Sequence, residues 1–128
     1  MKKIDDICKR YNIGLCYIFG SQAEVGKVIL DGKVVVSIDN ESDIDFAVLF
    51  TRPPENTLKT YASLSLELQD LVSPCRADLL FLHEADHLIQ LEVIKGLNIY
   101  SHSEELRESY EEMVMMRASD ELEIFKLN

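Results

Sequence analysis

At 128 residues, with 47% hydrophobic and 28% charged content, the chain has the make-up of one globular domain able to bury a core without disulfide or metal staples. Its 23 acidic against 13 basic residues, a net charge of −10, argue against a nucleic-acid platform as its main work, since nonspecific nucleic-acid binding draws on a positive surface. That balance suits a basic protein partner, or a site that approaches phosphates through metal ions.

No apolar run is long enough to span a membrane, and Met1-Lys2-Lys3-Ile4-Asp5-Asp6 lacks the apolar core of a signal peptide. Cys8, Cys16 and Cys75 lie in apolar surroundings, so reduced, buried thiols of a cytoplasmic protein are expected. Ile4, Ile7, Cys8 and Tyr11 follow the spacing of a short amphipathic helix, which Asn12 and Gly14 stop. Leu15 to Phe19 is too short for a helix and reads as a buried strand ending at Gly20-Ser21.

In Lys27 to Val36, two β-branched runs flank Asp31-Gly32, so the pattern predicts a hairpin at about 25–38 with a type I′ turn. A polar loop, Asp39 to Ser42, leads into a strand from Asp43 to Phe50. Arg52-Pro53-Pro54 breaks the chain, and a helix is expected from Glu55 or Asn56. Its sheet-facing stripe is Leu58, Tyr61, Leu64, Leu68, Leu71 and Val72, and Ser73-Pro74 ends it. Ala77 to Leu82 reads as a strand, Glu84 to Lys95 as a helix closed by Gly96, and Asn98 to Ser101 as a last strand.

Ser101-His102-Ser103-Glu104 has the Ser-x-x-Glu form of a capping box. A C-terminal acidic helix is expected at about 103–125, with eight acidic residues against three basic ones from Ser103 onward. It also carries Met113, Met115 and Met116, read as packing residues of a helix that can dock on a partner. The whole reads as α/β, a single domain over 1–128 in which helices cover a short mixed β-sheet.

The chemistry concentrates at Gly20-Ser21 and Asp43-Ile44-Asp45. Side chains at i and i+2 of a strand share a face, so both carboxylates point the same way and repel unless a cation sits between them. A divalent metal meets that need, and a Gly-Ser turn nearby suggests a phosphate chain as the metal's cargo. Asp78, at the start of a later strand, is the third acidic candidate.

Taken together, Tyr17-Ile18-Phe19-Gly20-Ser21-Gln22-Ala23, then Ser42-Asp43-Ile44-Asp45-Phe46-Ala47-Val48-Leu49, then Ala77-Asp78-Leu79-Leu80 resemble the minimal nucleotidyltransferase family of the DNA polymerase β-like superfamily. Leu91 to Tyr100 looks like the family's closing helix and strand, so the resemblance spans roughly 13 to 101. It implies a palm-like nucleotidyltransferase fold, with Asp43, Asp45 and Asp78 binding two Mg2+ ions and Gly20 and Ser21 holding the phosphates of ATP. Asp78 would complete the metal site or take the acceptor's proton.

The resemblance further implies an antitoxin that moves AMP from ATP to a tyrosine of a HEPN-type ribonuclease toxin. The alternatives are an inactive antitoxin that neutralises its partner by binding, or transfer to a small molecule. Self-association stays open. Two departures stand out: the spacer from Gln22 to Ser42 is 21 residues, about twice that of short members, and Glu24-Val25 stands where many relatives carry a basic residue. His83-Glu84-Ala85-Asp86-His87 matches H-E-x-x-H, but His83 follows a strand directly and no third ligand comes after, so the match is read as chance.

Overall fold

The computed structural model describes residues 2–33 and 43–127. In chain order it contains α1 (Lys2–Arg10), β1 (Ile13–Phe19), α2 (Ala23–Leu30), β2 (Asp43–Phe50), α3 (Thr57–Val72) and β3 (Arg76–Phe81). A 3-10 turn (Leu82–Glu84), α4 (His87–Ile94), β4 (Leu97–Ser101) and α5 (Glu104–Leu127) follow. The four strands form one sheet in the order β3-β2-β1-β4. β1 runs antiparallel to β2 and β4, whereas β2 and β3 are parallel, which demands a crossover that α3 provides. The result is the mixed α/β sheet covered by helices that the sequence leads one to expect.

The period-two alternation of the strands sorts their side chains between two cores. On one face Cys16, Ile18, Ile44, Phe46, Val48, Leu79 and Phe81 pack with Ile4, Ile7 and Cys8 of α1 and Leu64, Leu68 and Val72 of α3. On the other, Leu15, Tyr17, Ala47 and Leu82 pack with Val93 of α4 and Tyr110 and Val114 of α5. All three cysteines are buried as thiols. No helix among the described residues is long and apolar enough to cross a membrane.

The second face carries polar ties as well. The Tyr17 hydroxyl donates to Glu111 Oε2 at 2.6 Å, and Arg107 Nε donates to the same oxygen at 3.0 Å. Tyr110, buried beside them, donates to Gln90 Oε1 at 2.7 Å, while Gln90 Nε2 donates to the Ala85 carbonyl at 2.8 Å. Tyr110→Phe therefore strands a buried acceptor, and a loss of about 1–2 kcal/mol in unfolding free energy, read from the denaturant midpoint, is expected.

The largest correction concerns the expected hairpin. Its first strand is absent: Ala23–Leu30 is helix, and Val25, Ile29 and Leu30 pack on the sheet core. Asp31 has φ −76°, which a type I′ turn forbids, and Gly32 at φ +77° is the left-handed residue that closes α2. Gly32 N–H donates to the Ile29 carbonyl and Lys33 N–H to the Val28 carbonyl, the Schellman pattern of a helix end. Packing overrides the β-propensity of the β-branched run here. The second expected strand, 34–38, and the polar loop 39–42 lie outside the described residues.

Smaller shifts are local. Asn56 caps α3 by accepting from Lys59 N–H, but the apolar stripe is longer than the core it covers, leaving Leu58 80% and Tyr61 42% exposed. α4 begins at His87 because Asp86 caps it, accepting from Ile89 N–H, and not at Glu84. The cap of α5 is Ser103, whose hydroxyl accepts from Leu106 N–H, whereas Ser101 donates to Asn98. Met113 packs on the second core, while Met115 and Met116 are exposed.

Candidate functional site

β2 starts at Asp43 and β3 at Arg76, and the two strands run side by side in parallel register, so Asp45 sits directly opposite Asp78 and Asp43 opposite Arg76. Asp43 and Asp45 alternate in phase with Ala47 and Leu49, and Asp78 with Leu80, all members of the second core. The three carboxylates therefore share the sheet face covered by α4 and α5, at the end where β2 and β3 begin. β1 delivers its own end to the same place, since Phe19 pairs with Asp45 and Gly20-Ser21 follow at once.

Gly20 is fixed there by two independent constraints. Its φ of +81° is the left-handed region, and a Cβ on it would stand 2.5 Å from Asp45 Oδ2. Backbone and carboxylate are thus in direct contact. α2 begins three residues later, and its N-cap residue Gln22 makes no side-chain bond to the first-turn amides. Ala23 N–H turns back to the Gly20 carbonyl at 3.3 Å, and a helix start with no side-chain cap beside a glycine is a favourable place for an anion. Gly20, Ser21 and Asp78 are exposed, and Asp43 and Asp45 are half-buried.

Electrostatics mark Asp45 as the strained member. Burial, then the negative charges of Asp78 and Asp43, and a hydrogen bond with Asp78 hold its carboxyl above the usual aspartate range. A carboxylate pair this close gains from any cation inserted between its oxygens. The third acid is otherwise engaged: Arg76 Nε donates to Asp43 Oδ1 at 3.0 Å. Among the described residues no three His, Cys, Asp or Glu side chains are gathered closely enough to hold a metal as they stand. Even so, an all-carboxylate donor set with a mutually repelling pair fits a hard divalent ion. Asp45 and Asp78 would be its nearest ligands, and Asp43 would join on leaving Arg76.

Thus Gly20, Ser21, Asp43, Asp45 and Asp78 all come to one end of one sheet face. The sequence pattern starts the third strand at Ala77, one residue short of Arg76, where the strand begins. One residue more, and period two sets it on the face of Asp78. A cleft of about 460 Å³ between α1 and α3, lined by Lys3, Asp6, Arg10, Glu67 and Asp70, holds none of these residues. The H-E-x-x-H pentad is divided between the 3-10 turn and the first residue of α4, and His87 Nδ1 pairs with Glu121 at 2.7 Å. It is no zinc-protease helix.

A family model for the polymerase beta nucleotidyltransferase domain matches residues 2–105. Comparison with curated proteins finds no significant match. Among solved structures, a toxin–antitoxin complex with AMP-PNP aligns at TM-score 0.66 and 19% identity, covering 98% of this chain and 96% of that chain. A tri-AMPylated Shewanella oneidensis HEPN toxin in complex with MNT antitoxin aligns at TM-score 0.62 and 18% identity, covering 98% of this chain and 93% of that chain. At such identities the likeness speaks to the fold.

Proposed function

Since the chain belongs to the polymerase beta nucleotidyltransferase family, we propose that it is a Mg2+-dependent nucleotidyltransferase that moves AMP from ATP to a hydroxyl acceptor. The acceptor is a tyrosine of a HEPN-type ribonuclease toxin, and the protein acts as the antitoxin. The observation that carries the reading is the Asp45–Asp78 pair, held edge to edge in register with Gly20 packed on Asp45. Support for acceptor and partner comes from the similar structures, one with AMP-PNP and one of an AMPylated HEPN toxin with its MNT antitoxin. The acidic charge of −10 suits a basic partner, and residues 1–128 serve as one nucleotidyltransferase-like domain.

In this reading the chain's own groups divide the work. Gly20 lets the backbone approach the phosphates, and Ser21 offers its N–H and hydroxyl to them at the start of α2. Asp43, Asp45 and Asp78 would hold the metal, which would supply positive charge to the phosphates and the leaving pyrophosphate. Asp78, the exposed acid, accepts the proton of the acceptor hydroxyl. The acceptor oxygen bonds to the α-phosphorus, the bond from that phosphorus to the bridging oxygen breaks, and pyrophosphate departs with the electron pair.

The test is neutralisation of the neighbouring gene's product in cells. Wild type is expected to relieve toxicity, and the Asp43→Asn, Asp45→Asn double variant, expressed to the same level, is expected to fail. Full protection by the double variant would overturn the enzymatic reading in favour of an antitoxin that acts by covering its partner.

A further inference from the structure

The site contains a cation that neither the motif nor the proposed chemistry uses. Arg76 pairs with Asp43 through its Nε, at 3.0 Å from Oδ1. The two residues are register partners on β3 and β2, and Arg76 precedes Asp78 by two, so its side chain leaves the strand on the face that carries all three carboxylates. Among the ion pairs of the described residues, this is the one that engages a site carboxylate. Meanwhile the phosphate-side run Gly20-Ser21-Gln22-Ala23-Glu24 contains no basic side chain. A triphosphate approaching three aspartates and a glutamate needs positive charge from elsewhere.

We propose that Arg76 is an exchangeable counter-ion: it holds Asp43 in the nucleotide-free protein and passes to the nucleotide's phosphates when Asp43 takes the metal. The inference rests on the nucleotidyltransferase reading and names the residue that answers the missing base of the Gly-Ser loop. The pair is well suited to exchange, because the Arg76 side chain is 72% exposed and the Asp43 side chain 36% exposed, and ion pairs this wet contribute little to the fold. A metal drawing on the Asp43 carboxylate competes with the guanidinium for its charge and weakens this one bond. The guanidinium's planar fork then matches phosphate oxygens better than an ammonium does. Arg76 is thus a positioning residue toward Asp43 and a binding residue toward the nucleotide.

The two roles have opposite signs, which makes them separable from a structural one. In the full-length protein, Mn2+ binding without nucleotide is measured by electron paramagnetic resonance. AMP-PNP binding at saturating Mn2+ is measured by calorimetry. Arg76→Gln is expected to tighten Mn2+ about twofold to fivefold by removing its competitor, and to weaken AMP-PNP about tenfold by removing a charged phosphate contact. Arg76→Lys, which keeps the charge and also guards against a variant that folds poorly, is expected to fall between. Loss of both affinities together, or no change in either, overturns the proposal. Wild type that binds AMP-PNP while the Arg76 variants match it overturns this inference alone, whereas wild type that binds neither ligand overturns the nucleotidyltransferase reading with it.

Discussion

Asp45→Asn is expected to lower AMP transfer by at least about 10³-fold while making the fold more stable at neutral pH. The loss follows from removing the one acid that touches both Asp78 and the Gly20 backbone, and metal ligation is worth several kcal/mol of transition-state stabilisation. The gain follows from the same contacts. Burial and the charges of Asp78 and Asp43 raise the carboxyl above its ordinary 3.8, so the folded state holds this proton more tightly than the unfolded chain. Ionised Asp45 therefore costs stability, and that cost appears as pH rises through its raised range. Removing it is expected to add about 0.5–1 kcal/mol in metal-free buffer, the scale of like charges on adjacent strands. Thermal melts from pH 3 to 8 check the sign: the advantage of Asp45→Asn disappears below the ordinary value of 3.8. An advantage independent of pH, or none, would remove the strained carboxylate from the account.

Gly20→Ala carries the second large effect, on activity and stability together. A non-glycine residue at φ +81° costs about 1–2 kcal/mol before any contact is considered, and its Cβ would meet Asp45 Oδ2 at 2.5 Å. Asp45 must then move, and displacement of a reacting group by about 1 Å is enough to cost about 10²-fold. Gly32→Ala provides the comparison, because Gly32 also has a positive φ, +77°, but nothing within 4 Å of the added carbon. A similar backbone cost with full transfer activity is expected there. Equal loss of activity in both variants would mean that Gly20 acts through stability alone and not through Asp45.

How much of this was legible depended on whether a signal was local. The Asp-x-Asp strand, from Asp43 to Phe50, was read to its bounds because apolar alternation and polar edge coincide in one segment. The sharing of a face by Asp43 and Asp45 needs only period two. That Asp78 would stand opposite Asp45 is different in kind: it depends on parallel register between strands joined by α3, and strand spacing in sequence does not encode it. Asp31-Gly32 failed for a related reason. The same dipeptide serves a hairpin turn and a helix end, and the choice was made by Val25, Ile29 and Leu30 packing on the sheet. The long spacer after Gly20-Ser21 therefore opens with a helix whose N-terminus adjoins the site, and no hairpin arm. Arg76 lies one residue beyond the apolar run, and its place in the strand is set by pairing with Asp43 on β2.

In the proposed reaction the group that moves is the α-phosphoryl of ATP with its adenosine. Giving the protein, Mg2+ and its partner protein ATP labelled either at the α- or at the γ-phosphorus follows that group. Label from the α position on a partner tyrosine, with pyrophosphate released one for one and no label from the γ position, is the expected result. Label arriving from the γ position, or partner left unlabelled by a wild-type protein that binds it, would contradict the account.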